Sequence, residues 1–167
     1  MIDAGFAGAR IAVASFFVVA AVVKLVDPQS LTSPLAAIGF HGRGRVLMAR
    51  LMPVVELAAG ALLLAVPTRA AVLPAAGLLL VFTVVLFFLS TRAPTVECGC
   101  LGDIGTGSHS VGISRNIVLG ACLGFAAFGA TPEFSFPAFA VGLELVLLIW
   151  LSTEGVAVFR TVRAAGA

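Results

Sequence analysis

The chain has 167 residues, of which 60% are hydrophobic and 11% charged, and its mean hydropathy is +1.16. A soluble domain carries about a quarter charged residues, so this chain lacks the polar surface to cover itself in water and is read as a membrane protein. Its net charge of +2 is too small to indicate a nucleic-acid partner.

A membrane-crossing helix needs roughly 20 predominantly apolar residues, and the chain offers five such stretches. The first, Ala4 to Val26, carries Arg10 and Lys24 close to its two ends. Its apolar run outlasts the ~7–15 residues of a signal-peptide core, and no small-residue cleavage site follows, so a retained span is expected. Next comes the loop Asp27–Arg45, in which Leu35, Ile38 and Phe40 mix with His41, Arg43 and Arg45. It reads as a short interfacial or re-entrant segment over the bundle mouth, with a plain connector as the alternative. Span two, Val46 to Val66, holds Arg50 and Glu56, and a tight connection at Pro67-Thr68-Arg69 follows it. Span three, Ala70 to Ser90, has no charge at all. The loop Thr91–Ser110 then leads to span four, Val111 to Thr131, with Arg115 near its start. After Pro132-Glu133, span five runs from Pro137 to Phe159 and contains Glu144 and Glu154. The fold class is therefore all-α, a polytopic membrane helical bundle forming a single domain over residues 1–167. Gly60, Gly77, Gly120 and Gly124 are expected to be packing positions where helices approach closely.

Five spans place loops alternately on two sides, A (the N-terminus) and B. Lys24 and Asp27 close span one on side B, and Arg50 opens span two there. Arg115 and Asn116 open span four from the same side, and Glu154 lies near the side-B end of span five. An unpaired ionisable group inside a span costs at least ~2.5–3.5 kcal/mol, so such groups mark functional pathways. Individually, Lys24 and Arg115 could snorkel to the interface, Asp27-Pro28 could simply begin a loop, and Asn116 could be a structural hydrogen bond between helices. Glu56 is harder to account for in that way. About ten residues separate it from either end of its span, so it must be protonated or paired, with Lys24 or Arg115 as partner. Glu144 is expected to be protonated and packed, without a role.

Two of the three cysteines form Cys98-Gly99-Cys100, in the side-B loop after span three. One intervening residue keeps the sulfurs within bonding distance but closes a small, strained ring, and glycine eases the backbone demand. Strained, exposed disulfides are the labile or catalytic ones. Nearby positive charge would activate the thiols, and Arg115, Lys24 and Arg92 are candidates to supply it. Glu97 and Asp103 would act oppositely or shuttle protons. A disulfide between near neighbours constrains little chain and adds little stability. With His109, and His41 from another loop, the thiols could instead bind Cu(I) or Zn, although a closed zinc site wants four ligands. Cys122, inside span four, reads as a small apolar residue.

In order along the chain stand Lys24-Leu-Val-Asp-Pro28, Pro53-Val-Val-Glu56, Cys98-Gly-Cys-Leu-Gly102 and Arg115-Asn116. Over roughly Arg10 to Trp150 this series resembles the MauE/DoxX family of redox-associated membrane proteins, in its methylamine-utilisation MauE branch. Leu101 stands where that family usually has an aromatic residue. The resemblance implies a four-helix DoxX-like core, in a bacterial-type plasma membrane, engaged in thiol–disulfide chemistry. Cys98 and Cys100 would be the redox pair, and Lys24, Asp27, Glu56, Arg115 and Asn116 the polar site beneath them. It further implies a thioredoxin-like or disulfide-containing client as a separate chain, a possible membrane-protein complex, no covalently bound cofactor, and a membrane quinone contacting Lys24, Glu56 and Arg115.

The leading expectation is a membrane thiol–disulfide oxidoreductase. The alternatives are a non-catalytic assembly subunit and a transporter of soft metals or sulfur species. Of the ten Lys and Arg residues, only Arg10 and Arg69 fall on side A, so the positive-inside rule puts the dithiol in the cytoplasm. The family's association with maturation of extracytoplasmic enzymes puts it on the opposite face.

Overall fold

The computed structural model describes residues 2–66, 68–94, 96, 109–128 and 137–149. Among these the regular elements are all helical: α1 (Ile2–Val26), α2 (Thr32–Ala37), α3 (Gly42–Ala65), α4 (Val72–Arg92), α5 (His109–Phe128) and α6 (Pro137–Ile149). Single 3-10 turns, Pro28–Leu31 and Arg69–Ala71, lead into α2 and α4. Four segments are long and apolar enough to cross a bilayer: Gly5–Val26, Gly42–Ala65, Arg69–Arg92 and His109–Phe128. At 1.5 Å per residue, the shortest of them reaches about 30 Å, the thickness of a hydrocarbon core. The chain is thus an integral membrane protein built as an all-α bundle. The remainder of the fifth expected span, residues 150–159, lies outside the described residues, as does Glu154.

Helix α1 is the axis of the bundle. It is 67% buried, against 28% for the segment Arg69–Arg92, with exposure concentrated toward its end at Val19, Val22, Leu25 and Val26. Ala12, Val13, Ala14 and Ala21 are completely enclosed, with Phe16 and Phe17 filling the wider gaps toward Leu63, Leu119 and Leu123. A helix apolar all round belongs in the middle of a bundle. Uncharged up to Arg92 at its end, α4 instead spends much of its surface on lipid, where Leu73, Leu80, Val84 and Phe87 are well exposed.

Two close crossings fix α1 against its neighbours. A Cβ placed at Gly60 would lie 3.0 Å from the Ala14 carbonyl oxygen, so α3 meets α1 backbone to backbone there. At the other end a Cβ on Gly142 would come 2.8 Å from Ile11 Cγ2 and 3.0 Å from the Gly8 oxygen, which seats α6 on α1. Gly77, Gly120 and Gly124 do not behave as expected. They are exposed and a Cβ on any of them meets nothing within 4 Å. These three face outward, so the close approach between helices falls to Gly8, Gly60, Gly142 and Gly112, the last against Leu86 of α4. Glu144 also departs from expectation. It is exposed rather than packed, two residues beyond the Gly142 contact and therefore turned away from it.

The first loop folds back onto the bundle. The Asp27 carboxylate accepts from the Gln29 amide at 3.2 Å, Ser30 Oγ donates to the Asp27 carbonyl at 2.9 Å, and Thr32 Oγ1 donates to the Gln29 carbonyl at 2.7 Å. These local bonds start the turn. Leu31 and Leu35 then bury against Ala49, flanked by Ile38, Met48 and Met52. The segment is a short helix laid over α3. Gly39 (φ 99°) and Gly42 (φ 54°) supply the left-handed backbone that turns the chain back into α3.

Arg10 is a buried structural cation, 6% exposed. Its guanidinium donates to the carbonyls of Leu63, Val66 and Thr68. It thereby answers the Leu63 carbonyl in the last turn of α3 and reinforces the Val66 and Thr68 carbonyls, which also accept from the Thr68 and Ala71 amides.

Candidate functional site

One end of the bundle gathers the polar groups. Lys24 stands in the last turn of α1, Glu56 in the middle of α3, and Arg115 and Asn116 in the second turn of α5. All four are buried: Lys24 is 3% exposed, Glu56 1%, Arg115 4% and Asn116 8%. The α1–α3 contact at Gly60 brings Glu56 alongside Lys24, because Gly60 and Glu56 are one turn apart on the same face. The Lys24 ammonium donates to Glu56 Oε1 and forms an ion pair with it. Its Nζ also lies 5.1 Å from the centre of the Phe82 ring, and the Arg115 guanidinium lies 5.1 Å from that of Phe16. Aromatic faces of this kind stabilise a desolvated cation. Asn116 Nδ2 donates to Thr83 Oγ1 at 3.3 Å, and that hydroxyl donates to the Leu79 carbonyl at 2.7 Å. Thr83 thus anchors the amide from α4.

These side chains enclose a cavity of about 30 Å³ lined by Lys24, Glu56, Arg115 and Asn116, with Phe16 and Phe82 among its walls. One or two water molecules fill such a space. Two polar atoms facing this buried region lack a hydrogen-bond partner among the described residues: Glu56 Oε2, an acceptor, and Arg115 Nε, a donor. The charge balance follows from the side-chain chemistry. Lys24 and Glu56 are neutral as a pair whichever of them holds the proton, and Arg115 is always charged. Among the described residues the cluster therefore carries one positive charge without a counter-charge, in a low-dielectric setting where such a charge acts strongly on any anion brought near it.

The structure brings together four of the five polar residues named from the sequence, and separates the fifth. Asp27 is half-buried in its own turn and does not line the cavity. Arg92 ends α4 exposed, 5.7 Å from the Phe88 ring. Cys98 and Cys100 lie outside the described residues. The ends of their loop are nonetheless defined, since α4 stops at Arg92 and α5 starts at His109. Arg115 is six residues into α5, about 9 Å below that mouth. His109 is buried at the rim, its Nε2 without a partner among the described residues. Among those residues no three His, Cys, Asp or Glu side chains gather to hold a metal ion. His41 is exposed and its Nδ1 lies 2.7 Å from the Gly39 carbonyl. Cys122 packs, partly buried, against the main core.

Sequence reasoning missed Thr83, Phe16 and Phe82. A hydroxyl in an otherwise uncharged and almost wholly apolar span was the available signal for Thr83. The two phenylalanines are indistinguishable in sequence from the other eleven of the thirteen.

A family model for the methylamine utilisation protein MauE matches residues 2–130, a range that contains the whole polar cluster and the cysteine loop. No curated protein and no solved structure matches the chain.

Proposed function

The chain belongs to the MauE family of methylamine utilisation proteins, and on that premise we propose that it is a membrane thiol–disulfide oxidoreductase working through Cys98 and Cys100. What carries the reading is the buried Arg115 charge, without a counter-charge among the described residues and below the helix ends that the Cys-Gly-Cys loop connects. A thiolate, not a thiol, is the attacking species, and nearby positive charge favours it.

In the exchange, one cysteine thiolate attacks a disulfide sulfur of a thioredoxin-like or client protein. The partner's S–S bond breaks, a mixed disulfide forms, and the second partner sulfur leaves as a thiolate. The other cysteine then attacks the mixed disulfide, closing the Cys98–Cys100 bond and releasing the partner as a dithiol. Two electrons pass from the pair to the partner, and the same steps in reverse oxidise a partner dithiol. Arg115 and Lys24 stabilise the thiolate, while Glu56 takes up or gives a proton. The family resemblance also implies a membrane quinone, but the cavity of about 30 Å³ is smaller than a quinone ring, so the exchange is not routed through one.

Replacing Cys98 or Cys100 by Ser tests the proposal. One of the two variants is expected to trap a mixed disulfide with its partner, visible as a reducible higher-mass band, and both should stop turnover. An unchanged redox state of the partner in both variants would refute thiol exchange and support a non-catalytic assembly subunit.

A further inference from the structure

Between Asp27 and Glu56 the chain has no acidic residue, yet it carries Arg43, Arg45 and Arg50. All three stand in the first turns of α3. Arg43 and Arg50 are exposed, and none of the three forms an ion pair with a described residue. Arg45 is half-buried, and its Nε has no hydrogen-bond partner among the described residues. Arg50 is the most informative of them. It lies eight residues beyond Gly42, about 12 Å into the helix, on a surface shared with exposed Leu47, Leu51 and Val54. A cation among lipid-facing leucines and valines is costly unless an anion or water reaches it. Side chains of an α-helix lean toward its N-terminus, so Arg50 reaches back toward Arg43, two turns away on the same face. Leu47 lies between them and is 56% exposed. Helix α2 packs over the Ala49 side of α3, which leaves the Arg43–Arg50 face to the membrane.

We propose that this face of α3 binds a membrane phospholipid whose head group carries a net negative charge. Arg43 and Arg50 hold the phosphate, and an acyl chain runs along Leu47, Leu51 and Val54. A phosphodiester accepts paired N–H bonds from a guanidinium. A zwitterionic lipid brings its own cation and leaves the arginines uncompensated, whereas a net-anionic head supplies the charge that the segment lacks. A free anion in water would have no use for the apolar side chains below. Snorkelling to water alone predicts no preference among head groups, and the preference is what the experiment reads. No residue of the buried cluster takes part, so the site is separate from thiol exchange.

The test uses the full-length protein in detergent, with native mass spectrometry reading the lipid-bound fraction. The probes are phosphatidylglycerol and phosphatidylcholine with identical acyl chains, and inorganic phosphate as a competitor. The wild type is expected to prefer phosphatidylglycerol roughly twentyfold. Arg43→Gln and Arg50→Gln should each reduce that preference about fivefold, and the double variant should erase it. Two single variants keep the test usable if either one folds poorly. Arg69→Gln removes an exposed arginine at the opposite end of α3 and should leave the preference intact. Equal binding of the two lipids by the wild type, or a preference that survives the double variant, would overturn the site. Displacement of phosphatidylglycerol by inorganic phosphate at a matching concentration would do the same, since the site would then be one for a free anion.

Discussion

Arg115 and Glu56 are both buried ionisable residues, yet their substitution has opposite consequences. Glu56 is the only acidic partner of Lys24 among the described residues. Glu56→Leu would strand an ammonium in the bundle, at a cost of about 3–5 kcal/mol. Thermal unfolding in detergent should show that loss, and the double variant Lys24→Met/Glu56→Leu should recover much of it. Arg115 has no counter-charge among the described residues, so Arg115→Gln relieves a desolvated cation and is expected to keep or raise the melting temperature. The same change should depress thiol exchange, the pattern of a site that trades stability for activity. A matching stability loss in Arg115→Gln would mean that the guanidinium is a structural tie. Glu56 stood out in the sequence because a carboxylate in mid-span has so few ways to be satisfied. Arg10 did not, since a lone arginine near a span end reads as a snorkelling side chain. Its three carbonyl partners come from a segment more than fifty residues away. Arg10→Ala should lower unfolding stability by about 1–3 kcal/mol, chiefly by leaving the Leu63 carbonyl without this donor.

At the scale of elements, the site depends on how α1 seats α3. The Gly60 contact is backbone to backbone, so Gly60→Ala must push the helices apart, costing about 1–3 kcal/mol and moving Glu56 relative to Lys24. Gly120→Ala, on an open face, is expected to be neutral or slightly stabilising, since alanine is the better helix former by roughly 1 kcal/mol. Comparing the two melting temperatures checks this directly. Equal effects would contradict the assigned interface. The sequence treated these glycines alike because composition carries no information about which helix face meets a neighbour. For α2 the mixture of Leu35 and Ile38 with cationic residues was enough to suggest a segment lying over the mouth. That it packs on α3 through Ala49 and forms a wall of an apolar chamber depends on tertiary contacts that no local pattern encodes.

At the scale of the molecule, hydrophobicity alone determined that the chain is a helical membrane bundle, since a bilayer admits few other ways to satisfy the backbone. The parity of the spans then sent Lys24, Glu56, Arg115 and Asn116 toward one end, and the structure joins them in one cavity. Parity could not show that Asp27 would be taken up by its own turn, because that outcome depends on three hydrogen bonds within six residues. The central claim is that Arg115, the buried charge without a counter-charge among the described residues, activates the dithiol in the loop between α4 and α5. The most direct measurement is the alkylation rate of Cys98 and Cys100 near neutral pH, followed by mass spectrometry on the reduced protein, in the wild type and in Arg115→Gln. Removing one nearby positive charge should slow alkylation by roughly tenfold, with Cys122 as an internal control that does not change. Equal rates in the two folded proteins would contradict the account.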